Sequence, residues 1–435
     1  MQLPGVPPAL LQCLVRAAAG RRLALVGGAV RDLLLHRVHN DPWRGLPDLD
    51  LVVEGDAAEI TAGTPPAPAL AAALRRDLGP ERVPLITEHG RFGTVAMELR
   101  LPEGGTWLLD LASARREHYP EPAENPVVRL GRLDDDLARR DFSVNAIALL
   151  LDADGCGVHL LDPHGGQADL QARRLRLLHP ASLRDDPTRL LRAARYAARL
   201  GFSLDATSQA QALSTLAAWP WPWRPGAPAG QAPPALGTRL RMELELLLER
   251  EPWPEALAAL QSWGGLRLLD QALQADQRWR LRLSRAARFG LPALPALVAG
   301  AADPLALAER LQLPHRQHRL LSQWLMLRQR LGEQAVLPRR PSAWCELLEA
   351  PGLSPEAVAV ALAVGDQPRG PLLRWWWRWR RIQPPLTAAE LMAREGLAPG
   401  PALGQRLRQA RAERLDALQR QAVSRAGNAG PAPDP

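Results

Sequence analysis

The chain has 435 residues, ordinary apolar content and a formal net charge of +8, and every one of its 54 basic residues is arginine. That length predicts about two to four domains with a substantial core. No apolar run is long enough to span a bilayer, and the N-terminus lacks a charged-then-apolar leader pattern, so a cytoplasmic protein without a membrane partner is expected. The positive balance points to a polyanion, and three scattered cysteines, Cys13, Cys156 and Cys345, argue against a disulfide framework or a zinc site.

Residues 1–20 read as a short helix, with Leu10, Leu11, Leu14 and Val15 on one side. A strand over 23–26 runs into Gly27 and Gly28, and a helix follows over 29–35. Arg31 falls in its first turn, where a guanidinium would meet a phosphate drawn by the helix dipole. The next strand, P-D-L-D-L-V-V, carries Asp48 and Asp50 two positions apart. Both side chains therefore leave one face, with Cα atoms roughly 6.5–7 Å apart. Paired acids of this kind grip divalent cations, and the glycine turn lets phosphate oxygens approach a helix N-terminus. The combination suggests chemistry on a nucleoside triphosphate; a solvated strand edge is the alternative.

Residues 56–80 predict a helix interrupted by prolines at 64–68, and I-T-E-H-G-R-F-G-T-V-A-M-E-L predicts a strand pair. The segment W-L-L-D-L-A-S-A-R-R-E brings Asp110 on a buried-looking strand. A third carboxylate there would complete a two-metal site, its ions about 3.5–4 Å apart; Glu98 is the rival. Residues 116–133, rich in Pro, Glu and Arg, predict a mobile loop. In R-R-D-F-S-V-N-A, Arg140 could clamp phosphate while Asp141 and Asn145 reach a ribose hydroxyl. Helix capping and salt bridging would use the same residues.

After a turn at 162–166 comes S-L-R-D-D-P-T-R-L-L-R-A-A-R-Y-A-A-R-L-G-F, where Pro187 suits a first helical turn and Gly201 a helix end. Asp186 and Arg189 are three apart and would share a face, with Arg192 and Arg195 continuing the row. An Asp acceptor beside an Arg donor matches the amino group and ring nitrogen that cytosine and adenine share, whereas guanine and uracil present the opposite pattern. An exposed ion pair is the competing reading. Residues 217–236, rich in Pro, Trp and Gly, predict a surface loop, and the chain beyond 250 is helical throughout. The run R-W-W-W-R-W-R-R at 374–381 suits nucleic-acid stacking or, preferably, a helix that buries some tryptophans and exposes its arginines. Residues 421–435 read as a disordered tail.

L-V-G-G-A-V-R-D-L-L-L, D-L-D, R-R-D-F-S-V-N-A and D-D-P-T-R-L-L-R-A-A-R-Y, in this order, closely resemble the bacterial class II tRNA nucleotidyltransferases, which include CCA-adding enzymes and bacterial poly(A) polymerases. The resemblance is dense over 23–202 and resumes at 238–248 and 391–407. It implies an α+β fold: a small mixed α/β, polymerase-β-like head over 1–165, a helical neck over 166–250, a helical body over 251–340 and a tRNA-binding tail over 341–420. The implied activity is Mg²⁺-dependent, protein-templated transfer of CMP or AMP from CTP or ATP to the 3′ end of tRNA. By the same resemblance Asp48 and Asp50 hold metal and Asp110 is the third acid. Gly27, Gly28 and Arg31 hold the triphosphate, and Arg140, Asp141 and Asn145 contact phosphate and sugar. Asp186 and Arg189 select the base, supported by Arg192 and Arg195.

One departure is Asp185, which stands where the family usually has Glu. The loop at 116–133, needed in the family for the A step, argues against a C-only enzyme. Complete CCA addition and addition of the terminal A alone, with a separate CC-adding partner, both stay open. Poly(A) polymerase is less expected, as are a non-catalytic RNA-binding homologue and an enzyme acting on a small molecule.

Overall fold

The computed structural model describes residues 6–428 apart from 44, 46–47, 91–92, 102–103 and 153–156. Cys156, the tip of the strand pair at Arg91 and Phe92, and the last residues of the expected tail lie outside the described residues. The chain forms two compact units, Met1–Leu268 and Leu269–Pro435. No helix among the described residues is long and apolar enough to cross a membrane.

The first unit begins with α1 (Pro8–Ala18), β1 (Leu23–Val26), α2 (Gly28–His39) and β2 (Asp48–Val53). Two short helices follow, α3 (Ala57–Ala62) and α4 (Pro66–Leu78), separated at the expected proline break. Then come β3 (Ile86–His89), β4 (Thr94–Arg100) and β5 (Thr106–Ser113). Seven strands make one mixed sheet in the order β3-β4-β5-β2-β1-β8-β9, where β8 is Ala148–Leu151 and β9 Val158–Leu161. Strand β1 pairs antiparallel with β2, but β2 runs parallel to β5, with Asp50 opposite Asp110. A parallel pair needs a crossover, and α3 and α4 are part of it.

The alternation along β2 buries Leu49, Leu51 and Val53 on one face. On the other, Val52 joins Ala24, Val26 and Ala148 in a cluster closed by Leu133 and Leu137 of α5 (Leu133–Ala138). That cover stops short of the Asp48 end, so the acids of β2 emerge where the apolar face gives way to open surface.

The segment expected as a mobile loop is a two-stranded antiparallel hairpin, β6 (Arg115–His118) and β7 (Val127–Leu130). The inward residues of β6 are charged, set against Val128 and Leu130 of β7: Arg115 Nη2 lies 3.2 Å from Glu117 Oε1, which also accepts from Arg139 Nη1 at 2.9 Å. A strand held through ion pairs lacks the apolar alternation that would have revealed it.

Beyond the sheet come α6 (Gly166–Gln171), α7 (Ser182–Asp185), α8 (Thr188–Leu200), α9 (Ala206–Ala218), α10 (Thr238–Arg250) and α11 (Trp253–Ser262), with a small parallel pair of 174–175 and 203–204. Gly201 ends α8 in the left-handed conformation. Helices α10 and α11 both pack on α8. The 217–236 stretch is not a surface loop: Trp221 and Trp223 are buried, and the indole N–H groups of Trp219, Trp221 and Trp223 all donate to main-chain carbonyls.

The second unit is helical among its described residues, from α12 (Gln271–Ala275) through α13 (Trp279–Arg288), α14 (Ala293–Val298), α15 (Pro304–Arg310), α16 (His315–Gly332) and α17 (Pro341–Leu348) to α18 (Pro355–Val364), whose middle is entirely buried. In α19 (Arg369–Trp377), Trp375 and Trp376 are buried while Trp377 is exposed, so the tryptophan run serves mainly as packing. The Arg380 guanidinium lies 3.7 Å from the centre of the Trp376 ring. After α20 (Ala388–Glu395), α21 runs over Pro401–Asn428, which makes residues 421–428 helical rather than a disordered tail.

Candidate active site

The turn after β1 places Gly27 at φ 73°, ψ −140°, a conformation that side-chain-bearing residues rarely adopt. A Cβ there would sit 3.2 Å from Asp50 Oδ2 and 3.4 Å from Arg140 Nη1. Glycine therefore lets the main chain lie directly against an acid and a base. Gly28 then opens α2, whose first turn has no side-chain cap among the described residues and presents main-chain N–H groups.

Asp50 and Asp110 face one another across β2 and β5, and Asp48 precedes on the same face of β2. Burial first, then the charge of Asp110, raises the Asp50 carboxyl above the usual range; Arg140 partly offsets this and Asp48 adds to it. Desolvation and the Asp48 charge likewise raise Asp110. No three His, Cys, Asp or Glu side chains among the described residues converge as they stand on a metal position. The donor set is nevertheless all carboxylate oxygen, which suits a hard divalent cation such as Mg²⁺. Mutual repulsion in the pair is what such a cation relieves.

Next to the acids, Asp136 of α5 is fully buried and bridges two arginines, with Oδ1 2.7 Å from Arg139 Nη2 and Oδ2 2.8 Å from Arg140 Nη2. Burial alone would raise this carboxyl, but Arg140 and then Arg139 hold it below the usual range. Its role is to aim Arg140 at the Gly27 turn. Asp141 accepts from its neighbour's main-chain N–H and from Asn145 Nδ2 through Oδ1, and from Arg192 Nη2 at 2.7 Å through Oδ2. This pair ties the 3₁₀ turn Ser143–Asn145 to α8.

Asp186 does not belong to the helix that sequence spacing gave it. It is extended, at φ −143° and ψ 94°, between α7 and Pro187. It is buried and pairs with Arg239 of α10, not with Arg189. Its Oδ1 also accepts from the Thr188 N–H and hydroxyl. Burial opposes ionisation, yet the charges of Arg239 and Arg192 hold its carboxyl below the usual range. Arg189 is buried too, within 3.2 Å of His179 Nε2 and donating to the Ser182 and Arg139 carbonyls. The exposed ion pair that was the competing reading is thus absent.

These groups surround one cavity of about 1170 Å³, lined by Gly27, Gly28, Asp50, Arg140, Asp141, Asn145, Asp186, Arg189 and Arg192. A smaller one of about 400 Å³ shares Asp50 and Arg140 and adds Asp110. Asp48 lines neither cavity, standing at the exposed start of β2 on the face of Asp50, and two other expected site residues lie elsewhere. Arg31 is buried beneath the turn, donating to Asp32 Oδ1 and Asn145 Oδ1 and lying 5.3 Å from the Tyr196 ring centre. Arg195 points to Glu243 of α10, at 2.6 Å, and to Glu251. Arg195 is a tie between helices. The cavity also recruits Arg139, beside Arg140 in the R-R-D motif, and residues given no role from sequence: Tyr119 and Val128 of the hairpin, Tyr196 and Arg239. Tyr196 and Arg239 stood within flagged motifs, D-D-P-T-R-L-L-R-A-A-R-Y and the segment 238–248, without a role of their own.

This combination of sheet, glycine turn and acid pair defines a nucleotidyltransferase head: residues 23–176 match the family described as the poly(A) polymerase head domain. The CC-adding tRNA nucleotidyltransferase of Deinococcus radiodurans is 36% identical over 404 residues, covering 90% of this chain and 84% of that protein. The A-adding tRNA nucleotidyltransferase of the same organism is 34% identical over 250 residues, covering 58% of this chain and 44% of that one. A solved structure of a CCA-adding enzyme in an apo form aligns with a TM-score of 0.66 at 23% identity, over 96% of this chain and 95% of that one, and shares the fold. The chain belongs to the tRNA nucleotidyltransferases, enzymes that extend the 3′ end of tRNA.

Proposed function

We propose that this enzyme adds cytidines to the tRNA 3′ end from CTP, using Mg²⁺. The relationship that supports CC addition is extent: the CC-adding relative aligns along almost the whole chain, the A-adding one of the same organism along little more than half. Against it stands the presence of the 116–133 segment between the third acid and the R-R-D motif, which folds here as the hairpin β6–β7.

The observation that carries the assignment of residues is the single cavity joining the Gly27 turn and Asp50 to Asp186 and Arg189. Asp48, Asp50 and Asp110 would hold divalent ions, whose chemistry when bound is to acidify a hydroxyl and offset phosphate charge. The N–H groups at Gly27 and Gly28 and the Arg140 guanidinium would receive the triphosphate, with Arg31 and Asn145 bracing that turn from below. Asp141 and Arg192 would set the sugar. Asp186 Oδ2, which accepts from Arg239 alone among the described residues, keeps a lone pair for the cytosine amino group. Arg189 would donate to the cytosine ring nitrogen. The tRNA 3′ oxygen attacks the α-phosphorus, the bond to the bridging oxygen breaks, and pyrophosphate leaves with that electron pair. The helical body over 251–340 and tail over 341–420 would hold the rest of the tRNA.

The test uses three tRNA transcripts, ending at the discriminator base, at C and at CC, each given CTP, ATP or both. Extension to CC and no further is expected. Completion to CCA would make this a complete CCA-adding enzyme, and extension of only the CC-ended transcript by one A would make it an A-adding enzyme. A long A ladder would overturn the reading.

A further inference from the structure

The 217–236 stretch, which begins at the last two residues of α9, folds around its own tryptophans. Trp219 Nε1 donates to the Trp223 carbonyl at 2.7 Å and Trp223 Nε1 to the Pro228 carbonyl at 3.1 Å, both inside the stretch. Trp221 reaches out of the stretch: its ring packs edge-on against Trp219 and its N–H donates to the Arg184 carbonyl at 2.9 Å. We propose that Trp221 is a positioning residue for base selection: by holding the Arg184 carbonyl, its indole fixes the Asp186 carboxylate at the nucleotide cavity. This rests on Asp186 being the base reader.

Arg184 and Asp185 end α7, a helix of only four residues. Carbonyls at a helix C-terminus have no partner within the helix. Here Trp221 takes that of Arg184, and the Ala123 N–H takes that of Asp185 at 3.1 Å. The Ala123 carbonyl in turn accepts from the Ala235 N–H at 3.1 Å, so the same stretch grips the hairpin tip as well. Just beyond stands Asp186, extended, and after it Pro187, which has no N–H to anchor the main chain. The local chain holds Asp186 through its N–H on the Ser182 carbonyl, its carbonyl under the Arg189 N–H at 3.2 Å and its carboxylate on Thr188. Trp221, and Ala235 by way of Ala123, add stiffness to the main chain just before Asp186, while Arg239 holds its carboxylate. A tryptophan that merely filled space would not need its N–H on the residue two before the reader.

The test is Trp221→Phe, which keeps a buried ring and deletes the N–H, assayed for CMP against UMP incorporation on a transcript ending at the discriminator base. Small misplacement of a reading group costs far more than the contact itself. The expected result is a loss of about tenfold in the CTP-over-UTP ratio of kcat/KM, with tRNA affinity unchanged. Trp221→His, which restores a ring N–H, should recover part of the ratio. Trp219→Phe, whose hydrogen bond stays within the stretch, should lower the melting temperature without moving the ratio. Ala235→Pro, which deletes only the donor to Ala123, is the second variant if Trp221→Phe does not fold, and carries the same expectation. An unchanged ratio in Trp221→Phe, or an equal loss in Trp219→Phe, would overturn the proposal. A wild-type enzyme that incorporates no CMP would instead overturn the function proposed above.

Discussion

Asp50 and Asp110 stand opposite one another on adjacent parallel strands, and each is raised above the usual carboxylate range by desolvation and by a neighbouring acid. The sheet thus holds a repulsion that Arg140 offsets only in part and that a bound cation, a proton or a mutation would relieve further. Asp50→Asn should raise the melting temperature of the metal-free protein at neutral pH while transfer falls about 10³-fold or more. Mg²⁺ should raise the melting temperature of the wild type and not that of the variant. Asp48→Ala and Asp50→Ala should abolish transfer and leave tRNA binding intact, and full activity in either would remove the metal assignment.

The same shifts set a pH dependence. An acid with a raised pKa keeps its proton to higher pH, so protons compete with Mg²⁺ above the ordinary Asp value of ~3.9. Mg²⁺ affinity, followed by calorimetry, should weaken as pH falls toward that range, and the decline should begin at a higher pH than for a free Asp pair.

Asp136 has the opposite sign. Its folded-state pKa is depressed, so its stabilisation is complete above ~3.9 and is lost as pH falls through the lower folded value. Urea midpoints measured between neutral and strongly acidic pH should fall less steeply in Asp136→Asn. The variant should also lose activity at neutral pH, because Arg140 loses its support.

Arg239 and Arg195 separate the reader from the frame. Arg239→Leu strands the buried Asp186 and should cost about 3 kcal/mol of stability, with a loss of CTP-over-UTP discrimination. Arg195→Met breaks ties to Glu243 and Glu251 and should cost about 1–2 kcal/mol. It should leave the KM for CTP unchanged, and a rise in that KM would return Arg195 to the nucleotide site.

Short-range pattern made most of the head legible. The strand at 23–26, the glycine turn, the acids of β2, the proline break before α4 and the caps of α8 each depend on residues a few positions apart. What sequence did not show depends on distant partners. Arg31 is committed to Asn145 and Arg195 to α10 by pairings that no local spacing encodes. The hairpin at 115–130 is cemented by Glu117 and Arg139, so its composition imitates a loop. The Trp-rich stretch read as a surface loop because its indoles find main-chain carbonyls, and main-chain acceptors leave no trace in composition.

The pairing of Asp186 with Arg239 also dictates an order of birth. On the ribosome every acid of the sheet, the glycine turn and Asp186 itself emerge before α10 does. A nascent chain halted short of α10 would own the means to handle phosphate but would carry a buried carboxylate with no counter-ion and no fixed aim. If Asp186 reads the base as proposed, selectivity would be the last property to form, and a truncation that spares the sheet but removes α10 is expected to yield a catalyst without a template.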